Sequence, residues 1–467
     1  MHRLRPSTWF LAGAVWGGLL AAAGAEQQTL APRTLKRTED TIVLEGKALG
    51  PRLLGAHKDR LRAYAARGGF LTPIPFQVDE RDQRGRYCYT GGPPERRRRD
   101  VDKGKVDVND EFCVLARDLG ERANPALFAT VAGATAVEEF EVRDPVDGGR
   151  AWFYVFRFDG LAVPGRPGDD YVSLRVKPLD DERGIYFWRG ERFAFNNRRS
   201  PTNAVRATFA TIAGPGEDPR AKPNMLDATQ VRSTVSFMWV TVTRHSDEFR
   251  VRIGGVIDGP LRLIGENIAK VYLALGIWVS LSESYVILWR NRVSMPTNVE
   301  CPVNLDEGDV SNYELGMDLA RRVAGKGWAF YNSRNPKPVV IDGKMSAAER
   351  ALDLRYPDWN VVYGPGGAVV SKFVIPDFLA RRKGSRLVYR DDARHRAEEG
   401  LEFEPGSYGY HAYLMDMAGL KEGFYQGDYI VWYAPPPFRP GDERRLLDEY
   451  ERPLRVVRTS SVSPDER

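Results

Sequence analysis

The chain has 467 residues, of which 42% are hydrophobic, 28% charged and 11% aromatic. That is a globular composition, and it excludes a disordered chain, a collagen-like repeat and a polytopic membrane protein. Lys and Arg number 68 against 63 Asp and Glu, a formal net charge of +5 that is small for a dedicated nucleic-acid binder.

Residues 1–25 have the pattern of a secretory signal peptide. Arg3 and Arg5 precede an uncharged run from Trp9 to Ala22, and Ala23-Gly24-Ala25 supplies the small-x-small cleavage pattern. The expectation is an exported protein, periplasmic or extracellular, whose mature chain starts at Glu26 and has no transmembrane segment. Composition divides the remainder into an N-terminal β-rich domain over 26–214, a C-terminal β-sandwich domain over 223–458 and a flexible tail over 459–467. The linker is the Gly- and Pro-containing run from Gly214 to Lys222.

His57 to Ala66 has the pattern of a short helix. The distinctive block comes next. Pro73-Ile74-Pro75-Phe76-Gln77-Val78-Asp79-Glu80 is followed by an acidic, glycine-containing loop, then by Asn109-Asp110-Glu111 before the apolar run Phe112 to Ala116. This arrangement resembles a group of uncharacterised exported bacterial β-rich proteins and is distantly similar to β-sandwich domains of polysaccharide-processing proteins. The resemblance rests on about a tenth of the chain; it implies an exported β-sandwich and supplies no catalytic residues. Asp79, Glu80 and Asp82 could pair as acid and base in glycoside hydrolysis. Neighbours on a strand point to opposite faces, however, so a surface ion-pair network is expected there.

Within the loop, Asp100, Asp102, Asp107, Asn109, Asp110 and Glu111 place six oxygen-bearing side chains in twelve residues. They form a candidate Ca²⁺ site, because hard cations need several oxygens converging from a tight turn. Asp100, Asp102 and Glu111 match the first, third and last liganding positions of an EF-hand loop, but Lys105 stands where that loop needs glycine. The alternative is a solvated acidic turn neutralised by Arg96 to Arg99. Three cysteines in an oxidising compartment allow one disulfide. Cys88 and Cys113, in strand-like runs either side of the loop, are the candidate pair; two buried free thiols are the alternative, and Cys301 is left over. No C-x-x-C-H, P-loop or G-x-G-x-x-G motif occurs, so neither covalent haem nor a nucleotide is expected.

Further along, Trp152 to Phe158, Tyr171 to Val176 and Ile185 to Trp188 read as short strands. Ser233 to Thr243 is apolar on both faces and reads as one central strand. Phe249, Val251 and Ile253 alternate with arginines, as on a half-buried strand. Val271 to Trp289 is apolar enough to draw a hydropathy scan, yet its large residues recur every second position, predicting strand with a bend at Ser282-Glu283-Ser284. Asp342-Gly343 signals a hairpin turn, Met345 to Leu354 a helix, and Gly364 to Gly367 a hairpin joining Val361-Val362-Tyr363 to Val369-Val370. Leu387 to Tyr389 is a strand, and Pro440 to Tyr450 a helix stopped by Pro453. Together these predict an all-β fold, mainly an antiparallel β-sandwich of supersandwich type, with a few short helices.

Tyr408-Gly409-Tyr410-His411-Ala412-Tyr413 carries the remaining chemistry. On a regular strand Tyr408 and Tyr410 share one face, and His411 and Tyr413 the other. In the first reading Tyr408, Tyr410 and Trp432 stack on sugar rings in a non-catalytic protein that binds a polysaccharide or an envelope protein. In the second, His411 with Tyr410 or Tyr413 performs proton transfer in a polysaccharide lyase or hydrolase. In the third the chain is an accessory subunit of a periplasmic assembly. No G-x-S-x-G or H-E-x-x-H motif favours an enzyme, so the binding reading leads.

Overall fold

The computed structural model describes residues 29–92, 98, 100–102, 104–178, 184–198, 207–272, 276, 278–396 and 404–462. The expected signal peptide and all of the Arg96 to Arg99 run except Arg98 lie outside these. Antiparallel sheets carry the described chain and the helices are short, so the expected all-β sandwich architecture is the one formed. Among the described residues no helix is long and apolar enough to cross a membrane.

Two sheets build an N-terminal unit. In the first, Glu111–Leu115 lies between Thr41–Glu45 and Phe76–Asp79. The second is five-stranded, in the order Arg455–Val462, Ala136–Arg143, Arg150–Arg157, Leu61–Arg67, Phe70–Ile74. Phe76, Phe112, Phe153 and Phe140 stack in series between them, with centroids 5.4, 6.3 and 4.8 Å apart. Trp152, Tyr154 and Phe156 pack against Phe128 and Leu127 on the other face. Both faces of Arg150–Arg157 are thus covered, which is why its sequence is a continuous apolar run rather than an alternation.

The rest is a larger sandwich. A nine-stranded sheet, including Leu263–Tyr272, Trp278–Leu288, Arg292–Cys301 and Gly423–Ala434, faces a five-stranded sheet that includes Leu226–Phe237, Asn312–Leu319 and Ser407–Asp416. Leu263, Val286 and Val431 from the first and Val231, Leu315 and Tyr413 from the second share one core. A four-stranded sheet between Val172 and Ile212 joins the same core, with Phe193 stacked on Tyr433 at 4.2 Å.

Several expectations are corrected. The strands between Val172 and Ile212, which composition assigns to the N-terminal domain, share a core with the two sheets of the larger sandwich. Residues 459–462 are not a loose tail: Arg455–Val462 pairs with Ala136–Arg143 and returns the chain to the first unit. His57 to Ala66 is a 3₁₀ turn, Lys58–Arg60, leading into the strand Leu61–Arg67. Ser233 to Thr243 is a hairpin whose two-residue turn, Met238-Trp239, holds Met238 at φ 57°. That left-handed backbone costs a non-glycine residue of order 1 kcal/mol, and without Gly or Asn the turn left no signal. Val271 to Trp289 is strand as expected, but the reversal lies between Tyr272 and Trp278. Asp342-Gly343 leads to the short helix Ala347–Arg350 instead of a hairpin. Cys88, Cys113 and Cys301 are free buried thiols. The expected Cys88–Cys113 bridge is not formed: Cys113 faces Gln77 in the ladder, while the Cys88 amide bonds to the Glu80 carbonyl, further along the chain.

A buried guanidinium lies at the joint between the two units. Arg262, 2% exposed, lies on the nine-stranded-sheet side. Its Nε donates to Asp79 at 2.7 Å, and its Nη2 bonds to Glu111. Gln77 completes the joint: its Oε1 accepts from the amides of Leu261 and Arg262 at 3.0 and 3.1 Å, and its Nε2 donates to Asp79. A Cβ on Gly259 would lie 2.2 Å from the Gln77 side chain, so the backbone approaches as closely as only glycine permits. The Gln-Val-Asp stretch of the distinctive block is therefore an interdomain clasp, and not the surface ion-pair network expected around Asp79. Removing the guanidinium strands two carboxylates. Arg262→Ala is expected to lower stability by about 3–5 kcal/mol in urea unfolding, and Arg262→Lys to recover only part, since an ammonium cannot reproduce the fork.

Candidate functional site

The Tyr-His segment does not form an acid–base site. Gly409 has φ +63° and sits at a register shift opposite Arg390 and Asp392, which breaks the alternation. Tyr408 consequently joins Tyr413 in the core, and the expected pairing of Tyr408 with Tyr410 on one face is lost. His411 is 3% exposed. Its Nδ1–H donates to the Gly409 carbonyl at 3.0 Å and its ring packs 5.3 Å from Phe330. Burial pulls its pKa down to about 4, so the imidazole stays neutral near pH 7. Tyr410 donates to Glu314 at 2.5 Å and Tyr413 to the Ser371 carbonyl at 2.8 Å. Burial pushes both phenols well up. An interior cavity of about 80 Å³ between the sheets is lined by Phe195, Met225, Met295, Met317 and Tyr429, among others, and by none of these three. The expected binding residues are equally enclosed: Tyr408 and Tyr410 are each 4% exposed and Trp432 0%. Trp432 lies beneath the helix Glu443–Glu451 and donates to Glu449 at 3.2 Å.

The acidic loop divides. Asp100, Asp102 and Asp107 converge, each offering a carboxylate oxygen within 4.8 Å of the others. Asp110, fully buried, instead accepts the amides of Arg81 and Asp107 at 2.8 and 3.0 Å and shapes the turn. Asn109 Nδ2 donates to the Asp82 carbonyl at 3.1 Å. Glu111 belongs to the clasp, where it also accepts from Tyr87 at 3.0 Å. The expected six-residue ligand set thus reduces to three converging carboxylates.

A second feature was missed from the sequence. On the nine-stranded sheet Lys270 pairs with Ser280, Ser280 with Glu300, and Glu300 with Phe424. Tyr272 pairs with Trp278, and Asn298 with Gln426. Cross-strand partners and next-but-one neighbours share a face, so Lys270, Tyr272, Trp278, Asn298, Glu300, Phe424 and Gln426 lie on one surface. It faces away from the core, because the intervening Val271, Cys301 and Tyr425 point inward to Val235 and Phe237. Further up this face the sheet is covered, by the helix Glu443–Glu451 over Trp432 and by Tyr87 and Tyr89 over Ile264 and Ile287. Among the described residues no helix covers its other half. Phe424 is 69% exposed, and Tyr272 and Trp278, their rings 5.1 Å apart, are each 39% exposed. Strand parity was the available signal: with Val271 inside, Lys270 and Tyr272 must be outside.

Asp428, opposite Pro296, marks the border between the open and covered halves. It accepts from the Ser294 hydroxyl at 2.9 Å and the Met295 amide at 3.1 Å.

No family model matches the sequence, and no curated protein matches it. Among solved structures the chain is similar to an α-mannosidase from Enterococcus faecalis V583, at 8% identity and a TM-score of 0.45, over 93% of this chain and 46% of that one. It is likewise similar to a protein in glycosyl hydrolase family 38 from Enterococcus faecalis, at 8% identity and a TM-score of 0.45, over 92% of this chain and 47% of that one. The chain thus spans about half the length of either.

Burial pushes the Asp428 carboxyl up to about 6 against the opposing effects of Ser294 and Arg292. A carboxyl raised in the folded state contributes stability that is fully present below its unfolded pKa of about 4 and is lost as pH rises through about 6. Asp428→Asn should therefore match the native protein near pH 4 and exceed it near pH 7.5 by up to about 3 kcal/mol, measured by denaturant unfolding at both pH values.

Proposed function

We propose that this protein binds neutral glycan chains, without acting on them, along the open half of its nine-stranded sheet, and that it does so outside the cytoplasm. The observation that carries this reading is the surface formed by Tyr272, Trp278 and Phe424 with Asn298 and Gln426 on the same face. Aromatic faces cover the C–H faces of pyranose rings at small entropic cost, and side-chain amides match hydroxyls as both donors and acceptors. Lys270 and Glu300 occupy the same surface, giving it mixed charge, which favours a neutral polymer over a uniformly acidic one. An extended, shallow face suits a chain ligand better than the concave pocket usual for a small substrate. Export rests on the basic, apolar and small-residue pattern of residues 1–25. The side chains expected to perform proton transfer are enclosed and bonded within the fold, which turns the reading away from a lyase.

Calorimetric titration against neutral and acidic polysaccharides tests this. Trp278→Ala should weaken binding to a neutral glycan about tenfold, the loss of roughly one stacking contact, with an unchanged melting temperature and no reducing ends or unsaturated product released by either protein. Binding undiminished in both Trp278→Ala and Phe424→Ala, or turnover of any polymer, would overturn the reading.

A further inference from the structure

We propose that the loop from Asp100 to Asp107 is a divalent-cation site of the Ca²⁺ class, formed by the carboxylates of Asp100, Asp102 and Asp107. Ca²⁺ holds oxygens at about 2.3–2.6 Å, so ligands on opposite sides of the ion lie roughly 5 Å apart. The three carboxylates, with oxygens within 4.8 Å of one another, fit inside that sphere.

A separate observation points the same way. Asp100 is 6% exposed. Its Oδ1 accepts the Val101 amide at 2.7 Å, while its Oδ2 is buried with no donor. Oδ1 of Asp102 and Oδ1 of Asn109 are also buried without a donor. All three orphans are oxygen acceptors, so the loop lacks positive partners rather than acceptors. A buried acceptor left unmatched is costly, and a buried carboxylate more so.

Among the described residues, the bases that pair nearby are directed to other carboxylates. Lys58 pairs with Glu80 at 2.7 Å, Arg86 with Asp82 at 2.6 Å, and Arg98 with Glu266 at 3.0 Å, while Arg81 goes to Glu111. Asp100, Asp102 and Asp107 set three carboxylates against one another, a repulsion that a bound cation would relieve. Oxygen-only donors on an irregular turn suit Ca²⁺, which accepts variable geometry, better than the strictly octahedral Mg²⁺. The loop runs from Arg98, held to the nine-stranded sheet through Glu266, to Glu111 in the clasp. A cation there would tie down the segment that leads into the joint between the units.

The test uses the full chain stripped with EDTA and titrated calorimetrically with Ca²⁺ alone, alongside thermal melts with EDTA and with Ca²⁺. Native protein should bind one ion with a rise in melting temperature. Asp102→Asn should weaken that binding by about tenfold or more and melt no lower than native in EDTA, because it removes one charge from a repelling set. Absence of heat and of a melting shift in the native protein up to roughly 10 mM Ca²⁺, above the weakest extracellular sites at about 1 mM, would overturn the proposal. So would Ca²⁺ binding of native strength in the Asp102→Asn protein. Polysaccharide is absent from these titrations, so they read the cation site independently of the sheet face.

Discussion

Burying a guanidinium is affordable only when acceptors surround it, and that requirement organises this molecule. Arg262 sits where two units of structure meet; its guanidinium is satisfied by Asp79 and Glu111, from one short stretch and its strand partner, and its backbone by Gln77. Trp289 lies against its plane at 5.2 Å. The same solution recurs beside it. Arg290, 1% exposed, bridges Glu39 of the N-terminal unit and Glu191 of the four-stranded sheet, each at 2.7 Å. Arg37 bonds to Asp40 and to the carbonyls of Asp448 and Arg452 near the end of the C-terminal helix. Charged joints of this kind are directional. They fix how the units meet in a way that a purely apolar seam would not, since each arginine accepts only one arrangement of its carboxylates.

That constraint also explains the most recognisable piece of sequence. A Gln-Val-Asp-Glu run followed by Asn-Asp-Glu looks like chemistry, because carboxylates spaced along a strand suggest acids and bases. In the fold the run is split by strand parity: Asp79 turns into the clasp and Glu80 turns towards Lys58. Glu111 is claimed by Arg262 and Arg81, and Asp110 by two backbone amides. The converging Asp100, Asp102 and Asp107 are what remains for a ligand.

Aromatic side chains show the same sorting on a larger scale. Many of the tyrosines and tryptophans are buried, and between the sheets Tyr413, Tyr429 and Tyr433 pack with Phe193 and Phe330. A few remain exposed on the half of the nine-stranded sheet that no described helix covers, whereas the Glu443–Glu451 helix covers its neighbour. The chemical identity of the residue is the same in both places; the covering element decides which aromatic is structural and which is available.

The sequence by itself determined the fold class. Period-two alternation in stretches such as Phe249 to Ile253, the glycine-rich hairpin at Gly364 to Gly367 and the near absence of helical periodicity follow from local physics, and local physics is written along the chain. It also marked the acidic loop. Three things were decided only by tertiary structure. The Met238-Trp239 turn, made without glycine, is imposed by the strands it connects. Gly409 shifts the parity of the Tyr-His segment through a bulge set by its partner strand, sending Tyr408 inward beside Tyr413. And the partners of Asp79, Glu111 and Trp432 lie 183, 151 and 17 residues away in the chain. Burial is a property of what folds over a residue, and no local pattern records it.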